Sequence, residues 1–266
     1  MHPWCLEDVS YGQVKNAPPF DAAVLRLGAT EPHNLHLPYG TDTFQVDVIA
    51  NRACGLAWER GARVLKLPAI PYGTETNQMA FPLAMNLNPT TLARVITDLV
   101  ESLAAHGVLK CLILNGHGGN DLKWLLRELH RVTVVKLFLC DWFRVGLDVY
   151  GTIFEARDDH AGEMETSMGL AHFPEKVALQ AADPGTIRPT RFEAVNQGWV
   201  QITRPWHLLT TNSGAGDPRA ATARKGEEYT RIAGERIGNF LYELSLSGLD
   251  ESFPFQAIPE TEHPRR

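Results

Sequence analysis

The 266-residue sequence has four cysteines, no long apolar run and no excess of basic charge. Each shortage excludes a class of protein. Cys5, Cys54, Cys111 and Cys140 form no CxxC pair, so neither a disulfide framework nor a thiolate zinc site is expected. Cys54 and Cys111 fall on apolar helix and strand patterns, where a buried thiol is the default. No apolar stretch approaches the ~18 residues that suggest a membrane span. The opening residues, Met1-His2-Pro3-Trp4, lack the charged and apolar regions of a targeting segment. A cytoplasmic protein with no membrane partner is expected. Lys plus Arg number 25 against 31 Asp plus Glu, a formal charge of −6, which argues against a nucleic-acid partner. There is no GxSxG elbow to present a serine nucleophile. Histidine, by contrast, is plentiful, with ten residues. Any metal must therefore be held by His and carboxylates.

The apolar pattern predicts strands alternating with helices. Residues 22–28 form a short apolar run ending at Gly28, a buried strand. Val46, Ile49, Ala50, Ala53, Leu56 and Ala57 recur at helical spacing after Asp42, and Gly61 closes that helix. A second strand is expected over 63–68. Asn88-Pro89 reads as an N-cap followed by Pro at the first helical position. The stripe Leu92, Ile96, Leu99 and Leu103 follows, stopped by Gly107. Further strands are expected over 111–114 and 132–139, with a helical stripe from Leu122 to Leu129 between them. Residues 184–219 read as long loops, a last helix carries Tyr229, Ile237 and Leu244 on one face, and 250–266 look like a tail. Strands alternating with helices point to an α/β sandwich with a mainly parallel sheet. No linker divides the chain, so one domain over 1–266 is expected.

Three polar clusters carry the chemistry, at or near strand ends, where α/β folds place their ligands. In the first, Pro32 pushes Glu31 into an extended conformation. Residues two apart in an extended chain face the same way, so Glu31 and His33 can point into one cleft. Asp42 follows at a helix N-terminus, where a carboxylate is stabilised. Two carboxylates and an imidazole suit zinc, manganese or iron, although Asp42 could serve only as an N-cap. The second cluster, Asn115-Gly116-His117-Gly118-Gly119-Asn120, is a strand–turn–helix junction open to two readings, a metal ligand or an anion cradle. The third, His160-Ala161-Gly162-Glu163-Met164-Glu165-Thr166-Ser167, enters a helix, where its acids could be ordinary helix-start residues.

Taken together and in this order, the clusters resemble the creatininase (creatinine amidohydrolase) family over roughly residues 22–250. The resemblance implies a three-layer α/β/α hydrolase with two divalent metals, usually oligomeric and often a hexamer. It implies that Glu31, His33, Asp42 and His117 are metal ligands, with Asp42 bridging the two ions. Creatininase has a Glu two residues after the glycine-flanked His, where this chain has Gly119. Members with the Gly-Gly form usually carry an acid at the position of Glu163, so Glu163 is taken as the fifth ligand, with Glu165 its rival. A pair of divalent ions lowers the pKa of a shared water, and the expected chemistry is hydrolysis of an amide. His160 is expected to protonate the leaving amine or to steady the oxyanion. His36 is expected to be a structural loop residue. Trp142, after the fourth strand, could wall the substrate or sit in the core.

The pocket itself departs from creatininase. Two aromatic positions of that enzyme are Gly118 and Ala156 here, and the family's Glu-His before Met-Ala-Phe-Pro is Asn77-Gln78. The expected substrate is therefore a small-molecule amide. Candidates are a cyclic amide such as creatinine, a formamide such as a formamidopyrimidine nucleotide, or a mycofactocin-type precursor peptide. The alternatives from other classes are a nucleotide- or small-molecule-binding module that uses the Gly-rich turn without hydrolysis, and a degenerate hydrolase fold kept for assembly.

Overall fold

The computed structural model describes residues 2–155 and 157–256. Four strands, β1 (Ala22–Leu27), β2 (Val64–Lys66), β3 (Lys110–Asn115) and β4 (Lys136–Asp141), form one parallel sheet in the order β2-β1-β3-β4. The helices are α1 (Tyr11–Lys15), α2 (Thr41–Glu59), α3 (Pro89–Ala105), α4 (Lys123–Leu129), α5 (Tyr150–Ile153), α6 (Glu163–His172), α7 (Glu193–Asn196), α8 (Trp206–Leu209) and α9 (Ala223–Leu246).

Side chains along a strand alternate between faces, and the two cores follow that alternation. Ala22 and Val24 of β1, with Leu112 and Leu114 of β3, pack against Ile49 and Ala53 of α2, Met168 of α6 and Tyr229 and Leu241 of α9. Ala23, Leu25, Cys111 and Ile113 face the other way, onto Leu92 and Ile96 of α3 and Leu125 of α4. The result is the expected α/β/α sandwich with a parallel sheet. Because every β1 and β3 residue is buried, both strands read as continuous apolar runs. Cys54 and Cys111 lie in these cores as expected, and burial pushes both thiols up to about 12.

Two sequence expectations shift. The fourth strand starts at Lys136, not at residue 132, because its neighbour β3 begins at Lys110, directly opposite Lys136. Val132 and Val134 have no strand to pair with and stay 73% and 64% exposed. β-propensity expresses packing against neighbours, which these valines lack. Asn88 does precede α3, but its side chain accepts from Asn86 Nδ2 at 3.1 Å and does not cap the helix.

Residues near the N-terminus close one side of the sheet. Trp4 is buried, its carbonyl accepts from Lys66 N at 2.7 Å, and Cys5 forms a bridge to Lys66. The buried cations Arg26 and Lys66 are matched by Asp47 and Glu7; Lys66 Nζ lies 2.9 Å from Asp47 Oδ1 and Arg26 lies 2.6 Å from Glu7. Among the described residues no helix is long and apolar enough to cross a membrane. The expected tail is described only to residue 256.

The register places the functional region. Leu27 sits opposite Asn115, and Asn115 opposite Asp141. The loops leaving β1, β3 and β4 therefore emerge together at one edge, the usual place for a ligand in a parallel sheet.

Candidate metal centre

The loop after β1 and the turn after β3 build most of the site. Glu31, His33, Asp42 and His117 are all buried. His33 Nδ1 donates to the Glu31 carbonyl at 3.1 Å, which turns Nε2 toward Asp42 Oδ1, also at 3.1 Å. Asp42 reaches the site from the first turn of α2.

His117 is presented by a turn that its flanking asparagines stitch together. Asn115 Nδ2 donates to the His117 carbonyl at 2.8 Å, and Asn120 Nδ2 donates to Asn115 Oδ1 at 3.0 Å. Gly116 is needed for close approach, since a Cβ there would stand 2.9 Å from the Asp42 carbonyl and 3.0 Å from that of Leu27. The ring is flanked by acids. Nδ1 lies 2.8 Å from Glu31 Oε1 and 2.9 Å from Asp42 Oδ2, and Nε2 lies 2.7 Å from Glu75 Oε1. Glu31, Asp42 and Glu75 around this turn make it a poor cradle for a phosphate.

The third cluster divides its two acids. Glu165 accepts from Ala161 N at 2.6 Å and lies 3.7 Å from His33 Nε2. Glu163 points elsewhere: it pairs with Lys225 at 2.5 Å and accepts from Glu155 N at 2.8 Å. The sequence put Glu163 first, but on a helix residues two apart diverge by about 200°, so only one of them can face the centre, and α6 turns Glu165 inward. Three sets of groups converge closely enough to hold a cation: Glu31, Asp42 and His117; His33, Asp42 and Glu165; and Glu31, His33 and His160.

His160 closes one side. Its Nε2 donates to the Pro32 carbonyl at 2.8 Å, and Ser213 Oγ lies 3.3 Å from the same nitrogen. Nδ1 faces Glu31 Oε1 at 3.8 Å. His36 bonds Thr166 Oγ1 at 2.7 Å and braces the β1 loop against α6.

The electrostatics follow from burial and crowding. Burial raises Glu31 well above the usual carboxylate range, against the pull of His117. Burial also raises Glu165, to about 7. For Asp42 burial works upward, but His33 and His117 outweigh it and hold the carboxyl far below its ordinary value. Burial disfavours charge on His33, yet Asp42, Glu165 and Glu31 lift it to about 10. His117 is raised against the same penalty by Glu31 and Glu75. His160 is depressed, by burial first and by the charge of His33 second. Without a metal the site thus gathers protons on its histidines to offset its carboxylates. Glu31 Oε1 and Asp42 Oδ2 remain buried without a hydrogen-bond partner. Orphaned buried acceptors beside imidazole nitrogens fit divalent cations, and the mixed N/O donors suit zinc, manganese or iron.

A cavity of about 230 Å³ opens onto this centre. Its walls include Gln78, Gly118, Phe143, Arg204 and Trp206. A Cβ on Gly118 would meet nothing within 4 Å, so space is left where creatininase has an aromatic ring. Ala156, the other such position, lies outside the described residues. Trp142 does not line the cavity. It is 1% exposed and packs edge-on against Phe143 and Tyr229 in the core. The indole on the wall is Trp206, edge-on to His160 at 4.9 Å.

Trp206, Glu75 and Ser213 were not singled out in the sequence. Glu75 follows β2 as Glu31 follows β1, so its place beyond a strand end was a usable signal. Trp206 and Ser213 lie in the 184–219 loops, where no local pattern indicates which residues turn inward. Gln78, noted only as a departure, donates from Nε2 to Glu31 Oε2 and steadies that carboxylate.

The chain was compared with known proteins. Residues 7–241 match the creatininase family, described as creatinine amidohydrolase. A mycofactocin precursor peptide peptidase from Mycobacterium ulcerans (strain Agy99) is 28% identical over 230 residues, covering 84% of each chain. A creatinine amidohydrolase from Pseudomonas putida is 29% identical over 189 residues, covering 62% of this chain and 71% of that one. A crystal structure from Bacteroides fragilis NCTC 9343, provisionally named a creatinine amidohydrolase, superimposes with a TM-score of 0.89 at 36% identity, covering 94% of this chain and all of that one.

Proposed function

The chain belongs to the creatininase family, and on that footing we propose that it is a metal-dependent amidohydrolase holding two divalent cations that meet on Asp42. One observation carries the reading. The two oxygens of Asp42 face different histidines, Oδ1 toward His33 at 3.1 Å and Oδ2 toward His117 at 2.9 Å. Glu31 and His117 would complete the donors for one ion, and His33 and Glu165 those for the other. When bound, such a pair of ions supplies Lewis acidity for a carbonyl and a water of lowered pKa.

The chain's own residues supply the rest. The Nε2–H of His160 is committed to the Pro32 carbonyl, so the lone pair is on Nδ1, which faces the centre. Burial keeps the ring neutral. A neutral imidazole with a free Nδ1 is a base before it is an acid. It takes a proton from the attacking water at Nδ1 and returns that proton to the leaving nitrogen. This refines the role expected from sequence, in which His160 protonates the amine or steadies the oxyanion. Gln78 and Ser213 act through others: Gln78 bonds Glu31, and Ser213 Oγ lies 3.1 Å from Gln78 Oε1 and 2.5 Å from the Pro32 carbonyl.

The substrate reading is a compact amide. The cavity, at about 230 Å³, is smaller than the roughly 300–1,000 Å³ of drug-sized sites. That size suits a cyclic amide or formamide, or the end of a longer chain such as the relatives' precursor peptide. Creatinine itself is not favoured, since Gly118 leaves open the place where a flat ring would be clasped.

The test is metal analysis of purified protein loaded with zinc, manganese or iron, alongside Asp42→Ala. Two ions per chain are expected for the native protein. Asp42→Ala is expected to lose both ions together with hydrolysis of small amides. A native protein that takes up no divalent ion, or an active Asp42→Ala variant, would overturn the reading.

A further inference from the structure

Glu75 stands out among the buried groups that the proposed chemistry does not use. It lies in the loop between β2 and α3 and is fully buried. Its Oε1 is 2.7 Å from His117 Nε2. Neither of its carboxylate oxygens has a hydrogen-bond partner among the described residues, and the hydrogen bond of that nitrogen goes to the Thr74 carbonyl at 3.3 Å. A buried carboxylate without partners is costly, so its placement here needs a reason.

The loop is built to bring it there. Thr74 N donates to Asn120 Oδ1 at 3.0 Å, Glu75 N donates to Asn86 Oδ1 at 2.8 Å, and Leu87 N donates to the Gly73 carbonyl at 2.8 Å. Two glycines make the approach possible. A Cβ on Gly119 would stand 2.2 Å from His117 Nε2 and 2.5 Å from the Thr74 carbonyl. A Cβ on Gly73 would stand 3.0 Å from His117 Cδ2. The residue that departs from creatininase, Gly119, is thus the one that admits the Thr74-Glu75 loop against the histidine.

We propose that Glu75 is a positioning residue for His117: its charge beside Nε2 holds the proton on that nitrogen, which donates to the Thr74 carbonyl, so the tautomer is fixed and the Nδ1 lone pair is directed at the space between Glu31 and Asp42. A carboxylate in this place orients a ligating imidazole and strengthens it as a donor. Both rings bond a backbone carbonyl through their second nitrogen, His117 that of Thr74 and His33 that of Glu31 at 3.1 Å, but only His117 has a carboxylate beside that nitrogen as well. The two halves of the centre are therefore unequal, and the half containing His117 is the tighter. This inference rests on the two-cation reading.

The experiment is chelator competition on protein loaded with two equivalents of zinc, with metal per chain measured by mass spectrometry for native protein, Glu75→Gln and Glu75→Ala. The native protein should release its two ions in separate steps. Glu75→Ala should weaken one ion by about 10- to 100-fold and leave the other unchanged. Glu75→Gln should weaken the same ion less, because its amide oxygen keeps a partial negative charge beside Nε2 but not the full one. A purely structural role would loosen both ions together, and that result overturns the inference. Native release curves for the Gln variant overturn it too, and decide the matter if the Ala variant does not fold. A native protein that binds no zinc is a different failure, that of the two-cation reading itself.

Discussion

The candidate centre has two unlike sides. One comprises Glu31, His33, Asp42 and His117, placed by the loops after β1 and β3 and by the first turn of α2. The other comprises His160, Glu165, Trp206 and Ser213, drawn from the chain beyond β4. The first side is largely local in placement: each residue stands within a few positions of a strand end or helix start, with Gln78 and Glu75 reaching Glu31 and His117 from the loop after β2. The second is held by contacts across the sequence. His160 is fixed by Pro32 at 2.8 Å and by backbone pairing with Ala215, and the Glu165 carbonyl accepts from Gln45 of α2 at 2.9 Å.

The largest expected effect tests whether the appended side performs chemistry or only shape. His160→Ala should lower turnover by about 10²–10⁴-fold, the usual worth of a positioned acid–base group, while two metals remain bound. A variant that keeps its turnover would reduce His160 to a wall residue. A smaller effect tests whether the appended side reaches the metals at all. Glu165→Gln should weaken one metal by at least about 10-fold, the lower end of what even an indirect partner is worth. Glu163→Gln should leave both metals in place and disturb only the pairing with Lys225. If Glu163→Gln is the variant that loses metal, the division between the two acids is reversed.

The smallest effect is one of stability and sharpens the other side of the comparison. In the metal-free protein His33 has a pKa of about 10, raised from 6.5. A raised pKa stabilises fully below the unfolded value and loses that stabilisation as pH climbs through the folded one. Glu165, raised from 4.5 to about 7, acts in the same direction at lower pH. Below about pH 6.5 the depressed His36 and His160 oppose these groups, so the melting temperature of the metal-free protein should fall between about pH 6.5 and 10. Zinc-loaded protein, in which His33 would be held neutral while the metal stays bound, should lack the part due to that ring. A metal-free melting temperature that rises across this window would contradict the crowding of charge described for the site.

The same two sides explain how much could be read from the sequence. Glu31, His33, Asp42 and His117 were legible because extended spacing, a helix start and a glycine-flanked turn are local patterns. The sheet was legible because β1 and β3 are buried on both faces. The choice between Glu163 and Glu165 was not, because both suit a helix start and only the rotation of α6 against α2 separates them. Trp142 stayed open between wall and core because proximity to a strand end does not tell which way an indole turns. Its replacement, Trp206, arrives from a segment without periodicity. Glu75 was hidden differently, since its importance depends on two missing side chains, those of Gly73 and Gly119.

The strap of chain around Trp4 and Cys5 has a consequence for the protein among its own copies. A parallel sheet that stops at β2 would present a row of free backbone donors and acceptors, a template on which another molecule could add a strand. Trp4 and Cys5 occupy part of that row, and Glu7 helps neutralise the cations beneath it. These few residues act as a stopper against edge-to-edge stacking, so a truncation or fusion that pulls them away would be felt first as insolubility, while the loops that leave β1 and β3 remain intact.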